Sequence, residues 1–282
     1  MFLTECPRDA MQGWHQFIPT QRKIEYLNLL MQVGFDVLDC GSFVSPKAIP
    51  QMKDTAEVLD NVDKSISNTQ LSVIVANISG ATKAIEHQAV DILGFPFSIS
   101  ETFQYRNTNK NQEEAFEQVQ QILEMTQSAN KQLRVYFSMA FGNPYGEMWK
   151  WEDVYFWAKK FNEIGVKKIL LSDTTGVATP ETISLLFSKV PKDFPEIEFG
   201  AHFHTRYEDA PIKLKTAYQE GCRSFDGTIR GIGGCPMAKE DLVGNMPTEK
   251  MINLIMKEKT PHRLNLLHFE RAYNEAKDLF QF

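Results

Sequence analysis

The dipeptide-spaced pair His202-Phe203-His204 has the most chemical content of any segment in this 282-residue chain. On a strand, residues two apart project to one side, so both imidazoles face together while Phe203 packs the other way. That spacing suits two neutral nitrogens on one divalent cation; two hydrogen-bonded histidines without an ion are the alternative. Asp9, at the end of the first apolar run, adds a carboxylate if it shares the same mouth. An Asp, two His and one neutral oxygen leave positions open for substrate and water. Such a set fits magnesium, manganese or another first-row divalent ion better than a closed structural zinc. No cysteine stands at zinc-finger spacing from these histidines.

A second feature is Gly231-Ile232-Gly233-Gly234-Cys235-Pro236. Three glycines reach backbone angles closed to other residues, and a thiol at the tip of such a loop can be carried onto a substrate. A tight turn with an incidental cysteine is the competing reading. No Gly-Lys-Ser/Thr follows, which argues against a phosphate cradle. Cys6, Cys40 and Cys222 fall inside apolar runs and read as small core residues. His87, His262 and His268 lie on helical segments with no partner at ligand spacing, and His15, six positions after Asp9, stays ambiguous.

These groups need a frame. Short apolar runs at Phe2–Cys6, Asp36–Cys40, Leu71–Ala76, Ala89–Phe95, Leu133–Met139, Lys167–Leu171, Ile197–His204 and Arg223–Asp226 read as buried strands. Helical signals lie between them. Ile24, Leu27, Leu30 and Met31 share a face before Gly34; Phe116, Val119, Ile122 and Leu123 do so before Asn130; Val154, Trp157, Ala158 and Phe161 do so before Gly165. Thr179-Pro180-Glu181 reads as a cap with proline at the first helical position. Strands alternating with helices predict an α/β fold, a (β/α)8 TIM barrel, with an open doubly wound sheet as the competitor. The first strand is followed by no dinucleotide-binding glycine fingerprint. The chain reads as one domain over residues 1–282, with closing helices over 257–282 anchored by Leu264, Leu267, Phe269 and Ala272.

Composition narrows the classes. With 43% apolar residues, a formal charge of −6 and 4 cysteines, the chain is expected to be globular, without nucleic-acid partners and without a disulfide framework. No run of about 18 apolar residues suggests a membrane partner. Met1 to Glu5 enter directly into an apolar run, from which a cytoplasmic protein with reduced thiols is expected. In a barrel, catalytic groups gather where strands end. Arg8-Asp9, Asp39, Asp173, His202/His204 and Asp226 stand at such places. Any one of them alone reads as a helix cap or salt-bridge partner; their coincidence points to a site.

The residues also resemble a known family. Pro7-Arg8-Asp9-Ala10-Met11-Gln12 is similar to the opening Arg-Asp motif of the barrel metallolyases. Gly41-Ser42-Phe43-Val44-Ser45-Pro46-Lys47, followed by Pro50-Gln51-Met52, resembles a segment of the 3-hydroxy-3-methylglutaryl-CoA lyases. Asp173-Thr174-Thr175-Gly176-Val177-Ala178-Thr179-Pro180 matches their sixth-strand signature. Gly231 to Pro236 resembles their cysteine loop, and Gly244-Asn245 with Thr248-Glu249 the segment after it. The resemblance implies magnesium or manganese held by Asp9, His202, His204 and Asn245. It implies retro-Claisen cleavage of a branched 3-hydroxyacyl-CoA to acetyl-CoA and acetoacetate, and a possible homodimer. The metal would stabilise the alkoxide of a tertiary hydroxyl. Arg8 would stabilise the acetyl-CoA enolate, His202 or Asp9 would help deprotonation, and Cys235 would protonate the enolate. Asp39 and Asp173 match acidic positions that orient Arg8 and the ligands, while Gln12, Ser42, Asn107 and Tyr145 resemble substrate contacts.

The chain departs from the family pattern at four places. Asp39 replaces Glu, His15 replaces Lys, Thr205-Arg206 replaces Asp-Thr, and Asn143 to Gly146 replaces a cysteine-containing loop. None removes a ligand or the loop thiol; together they bear on the acyl group. A condensing synthase on the same barrel, a lyase for another branched hydroxyacyl-CoA, and a non-catalytic acyl-CoA-binding barrel are the other readings.

Overall fold

The computed structural model describes residues 1–234 and 243–281. Among these, eight parallel strands close into a barrel in sequence order. They are β1 (Phe2–Glu5), β2 (Val37–Ser42), β3 (Gln70–Ile74), β4 (Ile92–Ser98), β5 (Gln132–Ser138), β6 (Lys168–Asp173), β7 (Glu198–Phe203) and β8 (Ser224–Gly227). Closure comes from β1 pairing with β8, Phe2 opposite Ser224 and Thr4 opposite Asp226. Each of the eight apolar runs therefore overlaps a strand. The largest displacement is β4, which begins at Ile92; Val90 is buried but lies before the pairing starts.

Helices follow the strands around the outside: α1 (Pro7–Gln12), α2 (Thr20–Val33), α3 (Thr55–Asn61), α4 (Ile78–Glu86), α5 (Glu101–Thr108), α6 (Gln112–Ser128), α7 (Trp151–Glu163), α8 (Pro180–Asp193), α9 (Ala210–Gln219), α10 (Thr248–Lys257) and α11 (Leu266–Leu279). Their ends obey local chemistry. Gly34 ends α2 in the left-handed region at φ 83°, where a side chain would be strained. Thr179 caps α8 by accepting from the Thr182 N–H, with Pro180 at the first helical position. The helices bury their apolar stripes on the outer barrel face, where Phe97, Phe137, Trp157 and Phe161 pack ring against ring.

Among the described residues after Lys257, which ends α10, one helix is present, α11. It buries Ala272, Ala276 and Leu279, spaced four and three apart, and Arg22 of α2 pairs with its Glu275. Leu267, expected as an anchor, is 68% exposed instead. Five residues before Ala272 lies well off that stripe, since neighbours on a helix face are three or four apart. His262 lies in the loop before α11 rather than on a helix.

The inside of the barrel is unusually polar. Thr4, Ser72, Arg134 and Asp226 are all buried there with at most 1% exposure. Ile74, Tyr136 and Leu170 form a small apolar layer separate from the main core.

Candidate active site

The site is built at the C-terminal ends of the strands, the face that carries function in this architecture. Directly after β1, Pro7 starts α1, whose turn brings Arg8, Asp9 and Gln12 together at helical spacing. Arg8 Nε donates to Asp39 Oδ2 at 3.0 Å, and Nη2 donates to the same carboxylate, which stands in the middle of β2 rather than at its end. Arg8 Nη1 donates to Gln12 Oε1 at 2.8 Å, and Gln12 Nε2 donates in turn to Asp9. Burial opposes the charge of Arg8, but the Asp39 and Asp9 carboxylates outweigh it and raise its pKa above the ordinary value. Burial likewise opposes the charge of Asp9; the Arg8 guanidinium and His202 outweigh it and hold Asp9 well below the usual carboxylate range.

His202 and His204 reach the same mouth from β7, their ring centroids 5.4 Å apart, while Phe203 turns outward onto Phe141. His202 Nε2 is 3.5 Å from Asp9 Oδ2 and its Nδ1 is 3.4 Å from Asp226 Oδ2. Burial disfavours charge on His202, but the hydrogen bonds to Asp226 and Asp9 prevail and raise its pKa to about 9. Burial and the positive charge of His202 push His204 down to about 4. Two carboxylates thus draw positive charge to the point between them, beside a neutral imidazole.

Among the described residues, two trios of metal-capable groups share His202, each with donor atoms within 4.8 Å of one another: Asp9–His202–His204 and Cys6–His202–Asp226. The first opens onto a cavity of about 190 Å³ lined by Arg8, Asp9, Gln12, Asn107, His202 and His204. Neither Cys6 nor Asp226 lines it, and Arg134 stands 3.4 Å from Asp226. The outer trio therefore fits a hard or borderline divalent cation with room for substrate, and the inner groups hold the imidazole.

Asn245 forms a bridge with His204, and its Nδ2 donates to the Ile232 carbonyl at 3.0 Å. Gly233 shows how close this strand of chain comes. A Cβ there would lie 2.6 Å from the Asp9 carbonyl oxygen and 2.8 Å from Asn245 Nδ2, and its φ is +95°. Only glycine fits such a crossing. Cys235 lies outside the described residues.

The remaining expected residues divide. Asp39 is bound to Arg8, and Asp173 accepts from Lys213 Nζ at 2.7 Å while its carbonyl accepts from the His204 N–H. Ser42 does not line the cavity, and its hydroxyl accepts from the Val44 N–H. Tyr145 also lies off the lining, stacked on Phe103, with Arg106 4.7 Å from its ring. His15 is exposed between α1 and α2. Sequence reading passed over Arg134, Tyr136 and Lys213. Alternation along β5 could have flagged the first two, since Arg134 and Tyr136 face the same side; nothing marks Lys213 on α9.

Comparison with known proteins agrees with this fold. The HMGL-like family model matches residues 2–275. The rat protein "3-hydroxy-3-methylglutaryl-CoA lyase, cytoplasmic" is 34% identical over 88% of this chain and 72% of its own length. The human "Hydroxymethylglutaryl-CoA lyase, mitochondrial" is 34% identical over 88% of this chain and 76% of its own. Among solved structures, an HMG-CoA lyase from Acinetobacter baumannii in complex with coenzyme A and 3-methylmalate superposes with a TM-score of 0.92 at 29% identity, covering 100% of this chain and 91% of that one. The Bacillus subtilis HMG-CoA lyase gives a TM-score of 0.93 at 28% identity, covering 99% and 93%. With its barrel, its Arg-Asp turn and its paired histidines, the chain belongs to the HMGL-like family.

Proposed function

We propose that this protein is a carbon–carbon lyase that cleaves 3-hydroxy-3-methylglutaryl-CoA to acetyl-CoA and acetoacetate with a magnesium or manganese ion. The observation that carries the reading is the buried Arg8 beside the Asp9–His202–His204 trio at one cavity, with donor atoms of the trio within 4.8 Å of one another. The naming of the family relatives supports the substrate. Asp9, His202 and His204 would hold the ion, with Asn245 as a neutral ligand. The ion would supply Lewis-acid polarisation of the substrate hydroxyl and carboxylate oxygens.

The residues supply the rest. The tertiary hydroxyl gives its proton to Asp9, since His202 has its Nε2 assigned to the ion and its Nδ1 turned to Asp226; the C2–C3 bond breaks, and C3 becomes the ketone of acetoacetate. The electron pair passes to the acetyl-CoA fragment, where Arg8 stabilises the enolate oxygen from a position fixed by Asp39. Cys235 then delivers a proton to C2. Gln12 bridges Arg8 and Asp9 and keeps their relative placement, and Asn107 on the cavity wall contacts substrate, with Ser42 and Tyr145 assigned to the same task. Asp173 supports His204 from behind. The acyl-CoA is the small-molecule partner, a reading supported by the A. baumannii lyase, solved in complex with coenzyme A and 3-methylmalate. Among the described residues no helix is long and apolar enough to cross a membrane. A cytoplasmic place accords with the naming of the rat relative, whereas the human relative is named mitochondrial, and a homodimer rests on the family resemblance.

The test is turnover of the purified protein on hydroxymethylglutaryl-CoA with Mg2+ or Mn2+. Acetoacetate and acetyl-CoA should appear in equal amounts, stop with EDTA and resume on adding metal. Condensation of acetyl-CoA with a keto acid, without acetoacetate release, overturns the assignment. Cys235→Ala at unchanged turnover removes the thiol from the mechanism.

A further inference from the structure

Beneath the cavity floor, β5 holds Arg134 inside the closed barrel with no exposed surface. Its Nη1 donates to Thr4 Oγ1 at 3.0 Å, to Asp226 Oδ1 at 3.4 Å and to the Tyr136 hydroxyl at 3.5 Å. Its Nε and Nη2 have no partner among the described protein atoms. A guanidinium so buried is a poor source of stability, because desolvation offsets much of what its ion pair gains. A barrel core needs only volume, as Leu170 supplies opposite Tyr136 in the adjacent layer. The charge calls for another reason.

The two residues that Arg134 touches on its upper side both touch His202. Asp226 divides its oxygens, Oδ1 toward Arg134 and Oδ2 toward His202 Nδ1 at 3.4 Å. Tyr136 sets its ring edge-on to the imidazole, with centroids 5.5 Å apart and planes at 83°. The opposite nitrogen of His202 is the one that reaches Asp9 and the cavity. We propose that Arg134 is a positioning residue for the metal centre: by clamping Asp226 and Tyr136 from below it fixes the rotation of His202 and its Nδ1–H, so that Nε2 is presented to the cation. This rests on the outer trio being a metal site. Groups behind a ligating histidine typically change metal affinity by about 10- to 100-fold.

Titration with Mn2+ alone, followed by electron paramagnetic resonance, tests this without substrate. Wild type should take up one ion, and Arg134→Gln should weaken it about 10- to 100-fold. Arg134→Lys, which keeps a charged nitrogen near Asp226 on a shorter side chain, should fall between. The Arg134→Gln/Asp226→Asn double variant should lose much less relative to Asp226→Asn than Arg134→Gln loses relative to wild type, since Arg134 acts chiefly through Asp226 and only the contact with Tyr136 is left to lose. If Arg134→Gln does not fold, Arg134→Lys decides. Variants that melt lower yet bind Mn2+ within twofold of wild type overturn the proposal, leaving Arg134 a packing residue. Wild type that binds no Mn2+ overturns the metal reading itself, and this proposal with it.

Discussion

Arg8 and Asp9 are sequence neighbours of opposite charge, yet their surroundings give them separate tasks. Asp39 and Gln12 hold Arg8 by its fork, whereas Asp9 turns toward the imidazoles. Replacing Arg8 with Met should therefore lower kcat by about 10²- to 10³-fold or more, the scale of a lost donor to developing charge. Mn2+ affinity should be no weaker than wild type, because a positive charge 3.5 Å from Asp9 is removed. Steady-state kinetics alongside Mn2+ titration checks both halves, and unchanged kcat would falsify the role. Gly233 gives a complementary test. Alanine there meets the Asp9 carbonyl and Asn245 at once, in a backbone region costing roughly 1–2 kcal/mol for an L residue. Gly233→Ala should weaken Mn2+ by at least about tenfold, by the same scale that applies to residues supporting ligands, whereas Gly165→Ala, with no atom near its Cβ, should leave Mn2+ binding alone.

At the scale of elements, α1 is too short to hold itself, so the chain between it and α2 must be fixed from outside. Buried Gln51, from the turn after β2, does this. Its Nε2 donates to the carbonyls of Trp14 and Gln16 at 3.0 and 2.8 Å, and its Oε1 accepts from the Ile18 N–H at 2.9 Å. Gln51→Ala strands these groups and should cost about 1–3 kcal/mol in urea unfolding, with kcat falling more than KM rises because Arg8 and Asp9 lose their support. Such elements were partly legible. The eight strands could be read because apolar runs bounded by turn residues are what a strand covered on its outer face looks like. The start of β4 could not, because Val90 is as apolar as a strand residue and only the pairing of Ile92 with Ser72 and Gln132 sets the boundary. Leu267 failed for a related reason: apolarity says that a residue is able to be buried, and the face turned toward α2 decides whether it is.

The whole barrel explains which parts of the site sequence could reveal. Strand ends are recognisable one at a time, so Asp9, His202, His204 and Asp226 stood out before their distances were known. The partners inside the cylinder did not, because Arg134 in an otherwise apolar run looks like a strand edge until β1 closes on β8 and removes every edge. Closure also creates Glu5. On the outer side of β1, its carboxyl accepts from the Ile229 N–H at 2.8 Å and is hydrogen-bonded to the Thr248 hydroxyl, pinning both stems of the glycine loop to the first strand. Burial, against the smaller pull of those bonds, raises its pKa from 4.5 to about 8. The folded protein then keeps a proton that the unfolded chain releases near pH 4.5. That contribution to stability is full below the unfolded pKa and is lost as pH rises through the folded one, at up to about 1.4 kcal/mol per pH unit. Glu5→Gln keeps the shape of the carboxyl, its Oε1 able to accept from Ile229 and its amide group facing the Thr248 hydroxyl, without a proton to lose. Urea unfolding of both proteins at pH 5.5, 7 and 8.5, without metal, should show wild type falling relative to Glu5→Gln at each step. A constant difference across that range means that Glu5 is ionised throughout and that the loop stems are held by a buried carboxylate.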